Sequence, residues 1–169
     1  MQDLVDEHKI IKRWLALIPK IVKKLDLSLE ADREIIKTGI ELIKNYADKL
    51  HHAKEEEILF DYFDRNVEIV KSMYADHDKA RGYVKNATEG LESRDLQKVS
   101  ENLLAYKALL EEHIKKEDEI LYPWMDRGLS TYQVGEMFSR FADADQKYFG
   151  VEEKYSKFVC ELEKKEGSL

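Results

Sequence analysis

Fifteen residues from His51 to Arg65, HHAKEEEILFDYFDR, return 62 positions later as HIKKEDEILYPWMDR, from His113 to Arg127. Aligned without a gap, both copies carry His-x-x-x-Glu, as His51/Glu55 and His113/Glu117, ahead of an Ile-Leu pair. Imidazole and carboxylate together suit transition-metal cations. A spacing of four puts both groups on one face of a helix, one turn apart. Two such helices facing each other bring two imidazoles and two carboxylates to one centre. A further histidine precedes each copy, His8 in DEHKI and His77 in ADHDK. The candidate ligands are His8, His51, Glu55, His77, His113 and Glu117, and the chemistry they suit is metal binding.

The helices that must carry these residues bury them. Walking by turns, His51 follows Ile36, Ile40, Ile43 and Ala47 and precedes Glu55, Ile58 and Tyr62. His113 follows Leu103, Tyr106 and Leu109 and precedes Glu117, Leu121 and Trp124. His77 lies between Met73 and Ala80, and His8 between Leu4 and Ile11. A carboxylate buried in such a stripe without compensation is costly, and two at one centre repel. A pair of cations removes both penalties; without metal, the pKa values of Glu55 and Glu117 are expected to rise. One isolated His-x-x-x-Glu is ordinarily a solvated pair, but two in the same register with matched histidines are not. His52/Glu56 shows the same spacing. Its walk, however, gives Asp48, Asn45, Lys44 and Glu41, and its repeat counterpart is Ile114. His52 is therefore expected at the surface or behind a ligand.

The period of 3.6 runs from end to end. It predicts helices over about Gln2–Leu25, with a kink or short break at Pro19, from Ser28 or Ala31 to about Asp64, over about Asn66–Leu91, and from a Ser93 or Asp95 cap to about Arg127. Ser130-Thr-Tyr-Gln133 reads as a capping box opening a C-terminal helical segment that Gly150 interrupts. Short connections make neighbours antiparallel. The expected fold is all-α: an up-down-up-down four-helix bundle over residues 1–128, with a helical extension over 129–169. That extension is rich in aromatic residues and carries no candidate ligand. It packs on the bundle or forms an interface, including a homodimer.

Composition agrees. The chain has 169 residues, 43% hydrophobic and 37% charged, with seven Gly and two Pro. This suits long amphipathic helices around one core. The net charge of −7 argues against nucleic acid or an anionic membrane as partner. The lone Cys160 excludes an intramolecular disulfide framework. No apolar run reaches the length of a membrane span, and MQDLVDEHK has no signal-peptide pattern. A cytoplasmic protein is the expectation.

With DEHKII, HHAKEEEILF, ADHDKAR and HIKKEDEILYP in this order over residues 1–127, the chain resembles the hemerythrin-like, HHE cation-binding family. The resemblance implies a non-haem di-iron centre. His8 and His51 would bind one iron and His77 and His113 the other, with Glu55, Glu117 and an oxo or hydroxo group bridging them. Iron fits this donor set best, manganese next, and zinc less well. The oxygen-carrying members have a second histidine one turn away on the third helix and an Asp as second bridge. Here the third-helix neighbours of His77 are Met73 and Arg81, and the second bridge is Glu117, which leaves each iron about one open position. Met73 or Tyr74 is expected to line the small-molecule pocket. The function implied is binding of a diatomic ligand, oxygen or nitric oxide, for sensing, storage or delivery. The alternatives are an enzyme that reduces nitric oxide or peroxide or donates iron for iron–sulfur cluster repair, and a structural or adaptor bundle with a stabilising metal.

Overall fold

The computed structural model of the chain describes residues 1–167, and among them six helices and no strand. Helix α1 is Gln2–Lys24 and runs through Pro19 without a break. Helix α2 starts as Glu30–Leu42, continues in wide π-type turns over Ile43–His52 and Glu55–Leu59, and closes with a tight turn at Phe60–Tyr62. Helix α3 is Glu68–Ser93. Helix α4 runs over Leu96–Lys116, widens at Glu117–Leu121 and ends as Tyr122–Gly128. Two further helices follow, α5 Thr131–Lys147 and α6 Val151–Gly167.

The stops and starts have local causes. Arg94 turns the chain with a φ of 56°, and Asp95 caps α4 by accepting from the Lys98 amide. Ser93 takes no part as an N-cap; its hydroxyl donates back to the Glu89 carbonyl. Ser130 and Gln133 form both halves of the expected capping box. Gly150, with a φ of 81°, separates α5 from α6. Trp14 meets Gly39 and Glu7 meets Lys54, Lys44 meets Thr88 and Asp48 meets Arg81, and Glu89 meets Lys98 and Asp76 meets His113, so successive bundle helices run antiparallel. At Gly39 a Cβ would sit 2.2 Å from the Trp14 ring, so α1 and α2 pack this closely only over glycine.

The apolar interior falls into two clusters. One holds Ile11, Trp14, Ile40, Tyr46, Ala80 and Leu110. The other holds Leu4, Leu59, Phe60, Met73, Leu121 and Tyr122. Along α1, Leu4 belongs to the second, Ile11 to the first, and His8 stands between them; Met73, His77 and Ala80 repeat the order on α3. The polar layer is thus set across the bundle between two apolar plugs. Helix α6 closes the first cluster with Tyr155, Val159 and Leu162, and α5 closes the second with Met137 and Phe141. Arg13–Glu163 and Asn45–Tyr155 tie α6 to α1 and α2. No helix of the described residues is long and apolar enough to cross a membrane.

Candidate metal centre

All six candidate ligands are buried in the layer between the plugs, His8, Glu55, His77 and Glu117 completely. They form two imidazole pairs. His8 Nε2 lies 2.9 Å from His51 Nε2, and His77 Nε2 lies 3.0 Å from His113 Nε2. The carboxylates connect the pairs. Glu117 reaches His8 with Oε2 at 3.2 Å and His113 with Oε1 at 2.8 Å. Glu55 Oε2 lies 3.8 Å from His51 Nε2 and 3.4 Å from His77 Nε2. Its other oxygen, Oε1, accepts a hydrogen bond of 2.7 Å from the Tyr122 hydroxyl.

Each inner nitrogen faces inward because the outer one is held. His8 Nδ1 donates to Asp118 at 2.8 Å, and Asp118 is paired with Lys12. His51 Nδ1 donates to Glu7 at 2.8 Å, and Glu7 is paired with Lys54. His77 Nδ1 donates to Glu56 at 2.6 Å, backed by Arg81. His113 Nδ1 donates to Asp76 at 3.4 Å, backed by Lys116. An ionised carboxylate only accepts, so the proton sits on Nδ1 and the Nε2 lone pair is left for the centre. Two Nε2 atoms facing each other at about 3 Å must share a cation, a proton in the metal-free protein or a metal ion. That separation is also what two nitrogens bound about 2.1 Å from one ion at roughly a right angle would show. Glu55 Oε2 and both Glu117 oxygens are buried without a hydrogen-bond donor. The donor set therefore fits metal, and outer carboxylates orienting the imidazoles are the expected support.

The outer partners repeat as regularly as the ligands. Glu7 precedes His8 as Asp76 precedes His77, and Glu56 follows Glu55 as Asp118 follows Glu117. Lys54 and Lys116 stand three residues after His51 and His113, and Lys12 and Arg81 four after His8 and His77. The spacing of the ligands pointed to none of these, although the acidic neighbours are visible in both copies of the repeat. Tyr122 carries no signal in the repeat, since its counterpart is Phe60.

Electrostatics follows the same geometry. Burial would lower the His8 pKa, but Asp118 and Glu117 lift it to about 9. Burial likewise opposes the rise of His113, which Glu117 and Asp76 carry to about 10. His77 is raised by Glu55 and Glu56 against its burial. The expected rise for Glu55 does not occur. Burial pushes it up, but His51 and His77 outweigh burial and hold it well below the usual carboxylate range. In the metal-free protein His8, His77 and His113, not this carboxylate, take the protons.

Of the two places expected for His52, the structure gives the one behind a ligand. His52 is 2% exposed, not at the surface, and its ring stacks on His77 with centroids 3.9 Å apart and planes 15° apart. The cause is the wide turn at Ile43–His52. A π turn holds more residues than 3.6, so a walk in steps of 3.6 loses the face there, and successive residues both turn inward. One ligand atom each of His52, Glu55, His77 and His113 lies within 4.8 Å of the others, as do atoms of His8, His51 and Glu117. The Tyr74 hydroxyl donates to the Glu56 carbonyl, and Met73, the other residue expected to line the pocket, is packed in the apolar core.

The model of the hemerythrin HHE cation binding domain matches residues 1–125. The chain belongs to this family. The match ends inside α4, so α5 and α6 lie outside the matched residues. Uncharacterized proteins of Mycobacterium bovis and of two Mycobacterium tuberculosis strains are each 22% identical to this hemerythrin-family chain over 158 residues. The match covers 88% of this chain and 62% of each relative, so the chain spans about three fifths of their length. No solved structure matches it significantly.

Proposed function

We propose that this hemerythrin-family chain holds two iron ions and binds a diatomic ligand, oxygen or nitric oxide, for sensing, storage or delivery. His8 and His51 hold one ion, His77 and His113 the other, and Glu55 and Glu117 bridge them. One observation carries the reading. Two Nε2 pairs, at 2.9 and 3.0 Å, face carboxylate oxygens that lack any hydrogen-bond donor. Iron is favoured because mixed imidazole and carboxylate ligands suit it among the redox metals. When bound, the ions supply redox and small-ligand chemistry. The chain's own residues keep water out with the two apolar plugs and fix the imidazole orientations through Asp118, Glu7, Glu56 and Asp76.

The test is optical. The full chain, loaded with ferrous iron under nitrogen, is exposed in turn to nitric oxide and to air. Reversible new charge-transfer bands are expected with at least one of them. Continuous consumption of either gas in the presence of a reductant would instead make the protein an enzyme. Spectra unchanged by both would contradict ligand binding.

A further inference from the structure

His52 is the imidazole that the proposed centre does not use. Among the described residues neither ring nitrogen has a hydrogen-bond partner, although the ring is buried. Asp48 Oδ1 lies 3.6 Å from Nδ1, beyond hydrogen-bond reach. A buried donor left without a partner is destabilising. The fold itself does not ask for histidine at this place. Ile114 occupies the equivalent position of the repeat and is packed in the apolar core at 1% exposure.

The surroundings say what the ring faces. One side stacks on His77, and the ring stands edge-on to His113 at 5.8 Å and 76°. An imidazole ligates through a lone pair in its ring plane, so two stacked rings do not aim both lone pairs at one ion. His52 is therefore placed beside the His77/His113 position without being one of its ligands. It also lines a cleft of about 390 Å³ between α2, α3 and α4, together with Ile43, Ala80, Val84, Thr88 and Tyr106. His52 alone among the cleft residues belongs to either group of candidate ligands. The hydroxyl of Tyr106, which also lines the cleft, is likewise buried without a partner among the described residues.

We propose that His52 is a positioning residue: its ring N–H donates to a small acceptor molecule that enters by the cleft and sits on the metal beside His77 and His113. The proposal rests on the di-metal reading above. Azide is the probe, titrated optically into the iron-loaded full chain as wild type, His52→Leu and His52→Gln, with iron content measured in each. All three hold the same iron, and metal-free His52→Leu melts no lower than wild type. Azide affinity falls about tenfold in His52→Leu, the scale of one hydrogen bond, and largely returns in His52→Gln, which keeps a donor. Thr88→Phe, which fills the cleft, slows azide entry severalfold. Unchanged affinity in His52→Leu, no recovery in His52→Gln, or unchanged entry in Thr88→Phe overturns the proposal. Loss of one iron from His52→Leu also overturns it, by making His52 a ligand. A wild type that takes up no iron overturns the di-metal reading itself.

Discussion

Lys54 and Lys116 hold equivalent places in the two halves of the bundle, yet Lys54 is 1% exposed and the Lys116 side chain 44%. Lys54 pairs with Glu7 and with Asp145 of α5, and its ammonium lies 5.5 Å from the centre of the Phe141 ring. Among the described residues Lys116 pairs only with Asp76, at 3.2 Å. The imidazole contacts follow: His51–Glu7 is 2.8 Å and His113–Asp76 is 3.4 Å. The second difference is His52 against Ile114. Both halves widen from the candidate-ligand glutamate, at Glu55–Leu59 and Glu117–Leu121, but only α2 widens before it. A symmetric set of candidate ligands thus sits in asymmetric surroundings. One pair is sealed behind a buried ion-pair network under α5, and the other adjoins an unpaired imidazole at the end of a cleft.

The largest effect expected is one that ignores this asymmetry. Glu117 reaches both pairs, so Glu117→Gln should lose most of the iron from both positions, whereas His8→Ala should lose mainly one ion. Equal and partial losses, measured as metal per chain, would break the bridging assignment. Next in size is the comparison of the lysines. Lys54→Met leaves Glu7 buried beside His51 and should cost about 3 kcal/mol; Lys116→Met, at a partly exposed pair, should cost under about 1 kcal/mol. Urea denaturation of the two variants checks this, and equal losses would mean that α5 does not seal the first half.

Proton linkage gives a further test. The raised pKa values of His8, about 9, and His113, about 10, stabilise the metal-free fold fully below about pH 6.5, and this is lost as pH rises through them. The lowered pKa of Glu55 stabilises it above about pH 4.5, and this is lost as pH falls through the depressed value. The metal-free protein should therefore be most stable between those limits. Metal must displace the imidazole protons, so the melting gap between loaded and metal-free protein should widen from pH 6.5 toward 9. A constant gap in thermal melts would contradict it. The smallest effect is His52→Ile, which copies the other half. Removing two unpaired nitrogens should stabilise the metal-free protein by about 1 kcal/mol, read as a higher melting temperature.

Much of this layout is legible in the sequence, because the ligands interrupt an apolar stripe at a regular helical period. His8, His51, Glu55, His77, His113 and Glu117 can be found that way, and so can the Asp95 cap, the Ser130 capping box and the break at Gly150. The wide turns cannot. A π turn depends on tertiary packing and not on any local residue pattern, so the period turns His51 inward but gives no sign that His52 is buried beside it. The outer carboxylates are hidden for another reason: an acid beside a ligand looks like a solvated charge until its partner helix is known. Pro19 shows the reverse, a strong local signal that α1 carries without a break.

The central claim, two cation positions joined by shared carboxylates, is tested most directly by anaerobic titration of the metal-free full chain with ferrous iron, following bound metal and released protons together. The account predicts saturation at two ions per chain, with protons released because His8, His77 and His113 carry raised pKa values before metal enters. Saturation at one ion, or uptake with no proton release near pH 7, would contradict it.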